Sequence, residues 1–226
     1  GFRTSHELQK IEVWDYDDLK EMVNMDAVEA FRKRALLPES PTLHGSAQNP
    51  DTYFQAREAC NPYYEAFPDV VEKYMNMVNA KIGTDYKPFN YIGAPDAERV
   101  IIAMGSVCET IDETIEYLVS KGEKVGAIKV RLYRPFSAKH LLSVMPKTVK
   151  TINVIDRTKE AGSAGEPLYL DVVAALSKSE FAGVKILNGR YGLAGKNTTP
   201  MDIIAILNNE DKYDFTVGIV DDLTHK

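Results

Sequence analysis

Four polar side chains lie in loops where α/β proteins commonly bind ligands. Each of them follows a predicted β-strand: Ser106, Lys159, Arg190 and Lys196. The carboxyl ends of parallel strands meet at one edge of a sheet, and the helices that begin there present free backbone N–H groups. Hydroxyl, ammonium and guanidinium groups can donate hydrogen bonds to phosphate or carboxylate oxygens. The sequence therefore indicates anion-binding or interface candidates at these four positions.

The surroundings of Ser106 also have a purely structural interpretation. Gly105 allows a tight turn, and Ser106 and Glu109 have the spacing of a capping box, in which two side chains satisfy free N–H groups at a helix start. Glu109 would compete with an anion for those N–H groups. The segment is therefore also typical of an ordinary helix start, and both interpretations remain open.

Lys159 lies in a loop of charged and small residues at positions 156–167. In a phosphate-binding loop the lysine follows the glycines, whereas here Lys159 precedes them and Glu166-Pro167 occupies the helix start. Small residues let another surface approach the backbone closely. We interpret this segment as a docking loop for another domain or subunit, in preference to a small-molecule site.

Arg190 and Lys196 belong to a second glycine-rich loop, at positions 188–200. Thr199 can cap the helix that follows, and Pro200 suits its first position. Either cation could meet a carboxylate or a phosphate on a partner. The alternative is an ordered surface loop that closes the sheet edge.

The sequence shows no group of residues that could perform catalysis or bind a metal. It lacks the G-x-G-x-x-G pattern of dinucleotide-binding folds. The histidines and cysteines are scattered without the spacing of metal ligands, and two cysteines cannot hold a four-cysteine iron–sulfur cluster: His6, His44, His140, His225, Cys60 and Cys108. We therefore predict no catalytic residue and no metal ligand in this chain.

Charge and hydropathy exclude two classes of partner. The net charge is −6 and no run of more than three lysines or arginines occurs, so we expect no binding to nucleic acid. No stretch approaches the roughly 18 apolar residues of a membrane span, and residues 1–10 are too polar for a signal peptide. We expect no membrane partner and a cytoplasmic location.

The pattern of secondary structure changes near residue 90. Residues 1–90 have the pattern of helices joined by proline-rich connections. One predicted helix begins at Asp26 and Glu29 and runs through Leu36. Another covers Pro68–Ala80 and ends at Gly83. Residues 91–226 alternate helices with five predicted strands: Val100–Met104, Val125–Leu132, Thr151–Ile155, Val184–Leu187 and Phe215–Val220. This alternation predicts an α/β fold, a three-layer sandwich with a mostly parallel five-stranded sheet, preceded by a helical segment.

Six segments, in order along the whole chain, resemble the pyruvate:ferredoxin (flavodoxin) oxidoreductase family: Gly1–Glu7, His44–Gln55, Ala103–Thr110, Val130–Phe136, Asp156–Glu160 and Gly189–Leu193. The resemblance implies a dimeric enzyme that oxidatively decarboxylates pyruvate on thiamine diphosphate with magnesium. Electrons pass through [4Fe–4S] clusters to ferredoxin or flavodoxin, and the acetyl group passes to coenzyme A. These cofactors and the electron acceptors would bind to other domains, so no cofactor is expected in this chain.

The resemblance also implies a domain assignment. Residues 1–90 correspond to the tail of the first thiamine-associated domain and a connector. Residues 91–226 correspond to a domain similar to the C-terminal domain of transketolase, which implies one antiparallel edge strand, assigned to Phe215–Val220. We expect the chain to be a piece of the longer enzyme that packs against other domains and the second subunit, and to be inactive alone. The alternatives are an anion-binding or coenzyme A-binding module of the same enzyme and a free-standing regulatory α/β protein.

Overall fold

The computed structural model describes residues 6, 8, 10–41, 45 and 47–219. Leu8–Gly83 form one compact unit, and the chain from Thr84 onward forms the main part of the other. We call these the helical unit and the α/β unit. His44 and His225, for which no metal-binding role is predicted, lie outside the described residues. No helix among the described residues is both long and apolar enough to cross a membrane.

The described part of the helical unit contains the helices α1 (Tyr16–Met22), α2 (Met25–Lys33), α3 (Pro50–Glu58) and α4 (Asn61–Ile82). The predicted capping box at Asp26 is wrong, because the side chain of Asn24 accepts the N–H of Ala27 and starts α2 earlier. Gly83 ends α4 in the left-handed conformation, as predicted. However, α4 begins before Pro68, which lies inside the helix.

The described helical unit has few fully buried side chains, although several of its residues are half-buried. Pro68 is the one buried residue among those described between Leu8 and Gly83. Large apolar side chains are exposed instead, among them Phe31, Phe54 and Tyr63. The apolar side chains of α2 lie on one side of the helix, yet none of its residues is buried. The described helices of this unit therefore form without a core of their own.

The α/β unit contains six strands among its described residues: β1 (Phe89–Gly93), β2 (Arg99–Ala103), β3 (Val125–Val130), β4 (Thr151–Asp156), β5 (Lys185–Arg190) and β6 (Asp214–Thr216). They form one sheet in the order β1-β3-β2-β4-β5-β6. The helices between them are α5 (Val107–Ser120), α6 (Ala138–Val144), α7 (Pro167–Leu176) and α8 (Pro200–Leu207). The predicted α/β class and mostly parallel sheet are confirmed.

Two features of the sheet differ from the prediction. An additional strand, β1, pairs antiparallel with β3 and forms one edge. The edge strand β6 is parallel to β5, so the assignment of the antiparallel strand to Phe215–Val220 is wrong, and Val220 lies outside the described residues. The prediction missed β1 because its sequence, FNYIG, is short and contains Asn and Gly, which are depleted in strands.

Helices cover both faces of the sheet and produce the three layers. On one face α5 and α8 pack against strand residues that include Ile101, Ile155 and Leu187. On the other face α6 and α7 pack against Ile152 and Val154. Successive side chains of a strand point to opposite faces, so a strand buried on both sides must be apolar almost throughout. Strand β4 departs from this rule, because all six of its residues are buried although Thr151, Asn153 and Asp156 are polar.

Candidate functional site

The loops after β2, β4 and β5 lie at the same edge of the sheet, because these three strands are parallel neighbours. Two features are found there. One is a buried cluster of charged side chains around Arg190, and the other is an open cleft beside the start of α5. The four predicted candidate residues are divided between these two features.

Arg190 is inside the protein and is paired with two carboxylates. Its side chain is 3% exposed, and its Nη1 atom lies 3.3 Å from Oε1 of Glu166 and also contacts Oδ1 of Asp214. Its Nε donates to Oγ1 of Thr216 at 2.9 Å. A guanidinium held in this way compensates buried negative charge. The interpretation of Arg190 as a residue that faces an external anion is therefore not supported by its position.

Lys159 reaches the same cluster from the surface. Its Nζ atom lies 3.7 Å from Oε1 of Glu166, while the lysine side chain is half exposed. The other carboxylate oxygen of Glu166 accepts the N–H of Glu160 at 2.8 Å. Glu166 thus ties the loop after β4 to the end of β5. Its role was not predicted, since no local pattern links a glutamate before a proline to an arginine that lies 24 positions later.

Asp156 at the end of β4 stabilises the start of α7. Its two carboxylate oxygens accept the N–H groups of Leu168 and Tyr169, both at 3.2 Å. Burial raises the pKa of Asp156 to about 6, and the nearby charges of Glu166 and Asp171 act in the same direction, although the two backbone hydrogen bonds oppose them. Burial therefore gives Asp156 a pKa that is closer to neutral pH than is usual for an aspartate.

The pKa of Asp156 predicts how stability depends on pH. Its pKa of about 6 in the folded state lies above the value of about 3.9 for an unfolded chain. The folded state therefore holds the proton more tightly than the unfolded chain does. The stabilisation that results is fully present below about pH 4 and is lost as the pH rises through about 6. We expect the loss to be on the order of 3 kcal/mol of unfolding free energy.

Urea unfolding of the Asp156→Asn variant, followed at several pH values, tests this expectation. The amide does not titrate, so the variant should gain unfolding free energy relative to the unmodified chain between about pH 4 and pH 6. Asp211→Asn, at an exposed position, is the matched control and should leave the pH profile unchanged. Equal slopes for Asp156→Asn and the unmodified chain would contradict the assignment.

The cleft brings together Ser106, Lys196 and a cation that the sequence did not single out, Arg157. Its volume is about 310 Å³. The remaining lining residues come from the start of α5 and from the loop after β5: Val107, Glu109, Thr110, Tyr191, Gly192, Asn197 and Thr198. Arg157 directly follows β4, and that position at the carboxyl end of a buried strand is the signal that could have identified it.

Ser106 does not cap α5, so the predicted capping box with Glu109 is wrong. The backbone of Ser106 is itself helical, with φ −65° and ψ −18°, and its side chain accepts no N–H of the first turn. A serine caps a helix only when its own backbone is extended. Gly105, with φ +82°, makes the preceding turn. The positive end of a 14-residue helix consequently lies at the cleft without a side-chain cap.

The loop after β5 orients Arg157. The Nε atom of Arg157 donates to the carbonyl oxygen of Gly192 at 2.9 Å. Gly192 and Ala194 both adopt positive φ, 63° and 54°, and for an alanine this is a strained conformation. Tyr191, buried below, has its pKa raised to about 12, mainly by burial, and therefore stays neutral. The cleft is thus shaped by a loop that stores backbone strain.

A second cavity of about 370 Å³ lies on the other side of Ser106. Its lining includes Lys129, Arg131 and Cys108. Lys129 is already paired with Asp112, with 2.6 Å between Nζ and the carboxylate. Burial raises the pKa of Cys108 to about 11, so its thiol stays protonated and is a poor nucleophile. Cys108 is therefore a buried residue that contributes to packing.

Two family models match the chain and together cover most of it. "Pyruvate:ferredoxin oxidoreductase core domain II" matches residues 97–203. "Pyruvate flavodoxin/ferredoxin oxidoreductase, thiamine diP-bdg" matches residues 1–76.

Relatives match over the full chain. The pyruvate:ferredoxin oxidoreductase of Moorella thermoacetica is 56% identical over 100% of this chain and 20% of its own length. The pyruvate-flavodoxin oxidoreductase of Enterobacter agglomerans is 56% identical over 99% of this chain and 19% of its own length. The chain thus spans about a fifth of the length of these relatives. A solved 2-oxoglutarate:ferredoxin oxidoreductase from Magnetococcus marinus is 17% identical over 74% of this chain and 26% of its own, with a TM-score of 0.44.

Proposed function

Because this chain belongs to the family of pyruvate:ferredoxin and pyruvate:flavodoxin oxidoreductases, we propose that it is a packing domain of an enzyme that oxidatively decarboxylates pyruvate to acetyl-CoA. Electrons pass to ferredoxin or flavodoxin through other domains. The chain holds those domains and the second subunit of a cytoplasmic homodimer in position. It supplies no catalytic residue of its own.

The observation that carries this proposal is the lack of a core in the helical unit. Ordering the backbone costs roughly 1–2 kcal/mol per residue, and burial of apolar surface returns roughly 25 cal/mol per Å². Four helices with Pro68 as their one buried described residue cannot offset that cost. A further surface must therefore cover this unit in the working protein.

One stripe along α4 is the best candidate for the covered surface. Tyr63, Phe67 and Val70 are spaced four and three positions apart, so they lie on the same side of the helix. All three are exposed, and Tyr63 is 80% exposed. Large exposed apolar patches mark interaction surfaces, and aromatic side chains dominate the energetics of interfaces. We call these three residues the α4 stripe.

The residues present do not fit the iron–sulfur clusters of the proposed enzyme. The chain has two cysteines, whereas a [4Fe–4S] cluster requires four cysteine ligands. Cys108 is buried inside the α/β unit. The clusters are accordingly assigned to other domains of the enzyme.

Hydrogen exchange of the isolated chain and of the longer enzyme tests the proposal. We expect the amides of α4 to exchange at least about a hundredfold more slowly in the longer enzyme, because other domains cover the α4 stripe there. The isolated chain, supplied with pyruvate, coenzyme A, thiamine diphosphate and magnesium, should not reduce ferredoxin. Equal protection of α4 in both proteins would contradict the packing role, and ferredoxin reduction by the isolated chain would contradict the lack of a catalytic centre.

Two variants of the longer enzyme add a matched comparison. Tyr63→Ser combined with Phe67→Ser should remove most of the protection of α4, since both aromatic anchors are lost. Tyr117→Ser changes an exposed aromatic side chain of α5, outside the helical unit, and should leave α4 protected. If both variants had the same effect on α4, the α4 stripe would not be the covered surface.

A further inference from the structure

We propose that the cleft between the start of α5 and the loop after β5 binds a phosphate group of a small soluble ligand. This inference concerns the α/β unit and does not depend on the packing role of the helical unit. It assigns a binding function to Arg157, Lys196 and Ser106. Arg190 and Lys159 are not part of this site, because Glu166 pairs with both of them.

The positive charge of the cleft is the first argument. Among the described residues, no carboxylate lies within ion-pair distance of Arg157 or Lys196, and both line the cleft. Several other cations of the α/β unit are paired with carboxylates, for example Lys129 with Asp112 and Lys150 with Glu98. In a chain with a net charge of −6, two neighbouring cations without carboxylate partners define a local site for an anion.

The second argument is the set of hydrogen-bond donors. Arg157 uses Nε to bind the carbonyl of Gly192, which fixes the plane of its guanidinium and leaves the two terminal nitrogens as donors. The hydroxyls of Ser106 and Thr198 and the amide of Asn197 line the same space. A phosphate offers several acceptor oxygens and can therefore use donors from several directions. Glu109 is the one acidic residue that lines the cleft.

The position of the cleft in the sheet is the third argument. The chain moves from β2 outward to β3 and then returns to β4 on the other side of β2, so the strand order reverses between β2 and β4. The helices that follow these two strands, α5 and α7, cover opposite faces. In open α/β sheets the crevice at such a switch point, at the carboxyl ends of the strands, is where ligands bind. Ser106 and Arg157 follow these two strands.

The size and lining of the cleft define the ligand class. A volume of about 310 Å³ accommodates a pyrophosphate group with a small substituent. The one aromatic lining residue, Tyr191, is buried, and its hydroxyl contacts the carbonyl of Met104 at 3.4 Å. It offers no open face for stacking a base. The site therefore recognises the phosphate moiety, and the remainder of the ligand extends toward solvent.

Calorimetric titration of the full chain with inorganic pyrophosphate tests the proposal. We expect saturable binding below about 10 mM pyrophosphate. Lys196→Gln and Arg157→Gln should each weaken it at least about tenfold, because each removes a charged donor. Lys212→Gln removes an exposed lysine outside the cleft and should have no effect. Backbone amide NMR signals of Ser106 and Gly192 should shift during the titration.

Several results would overturn the proposal. Absence of binding at about 10 mM pyrophosphate, or unchanged affinity in Lys196→Gln, would remove the site. Lys196 is exposed, so its variant is informative even if Arg157→Gln fails to fold. Equal affinity for succinate and pyrophosphate would show that the cleft accepts a carboxylate, as an acidic side chain of a partner would provide, and would overturn phosphate as the ligand.

Discussion

Arg190→Met is expected to lower the free energy of unfolding of the α/β unit by about 3–5 kcal/mol. The variant keeps an unbranched apolar side chain but removes the charge that lies between Glu166 and Asp214. Glu166 is 1% exposed and would keep only the more distant Lys159 as a cationic partner. A buried carboxylate without compensation is among the most destabilising changes that a single substitution can cause. Urea unfolding followed by circular dichroism measures the loss.

Two further variants separate the charge from the packing of the arginine. Lys159→Met removes a half-exposed cation of the same cluster and should cost less than about 1 kcal/mol. In the double variant Arg190→Met with Glu166→Gln, the neutral amide no longer needs a cation, so the combined loss should be smaller than the sum of the two single losses. A strictly additive double variant would show that the charge of Arg190 does not act through Glu166.

Gly93→Ala is expected to destabilise the antiparallel edge of the sheet by about 2–4 kcal/mol. A Cβ atom at this position would lie 2.4 Å from Cα of Gly126 and 2.5 Å from the carbonyl oxygen of Val125. Both are backbone atoms of the paired strand β3 and cannot move aside as a side chain could. Gly93 also has φ +132°, which L-residues rarely adopt. The change should speed hydrogen exchange of the β1 and β3 amides.

Gly183→Ala is the matched control for this prediction. No atom lies within 4 Å of a Cβ built at Gly183, and its backbone does not require a positive φ. We expect a change within about 0.5 kcal/mol. If the two alanine variants were equally stable, the close approach of β1 and β3 at Gly93 would have no energetic importance.

The main elements of the α/β unit could be predicted from the sequence because their signals are local. Strands β2, β3, β4 and β5 each contain Val, Ile or Leu residues, and each is followed by a helical pattern. Strand β1 has no such signal. It forms because Phe89 and Ile92 pair with residues of β3 that lie more than thirty positions later in the chain. Local patterns do not contain such pairings.

The capping prediction at Ser106 illustrates another limit. The spacing of Ser106 and Glu109 satisfies the capping-box pattern, yet the backbone of Ser106 is already helical and its hydroxyl accepts no N–H of the first turn. The pattern specifies which residues could cap a helix, whereas the dihedral angles decide whether they do. Asn24 and Asp26 are both residue types that can cap a helix. In the structure Asn24 is the cap, so α2 begins at Met25, before the predicted capping residue Asp26.

The sequence by itself determined the family, through six motifs in order, and the alternation of strands and helices that predicts a parallel sheet. The tertiary structure decided which cations are internal and which remain available to an anion. Arg190 is the last residue of β5 and Arg157 directly follows β4, but Arg190 meets Glu166 and Asp214 inside the protein, while Arg157 lies in the open cleft. A buried charge requires partners from distant parts of the chain, and only the packed fold brings them together.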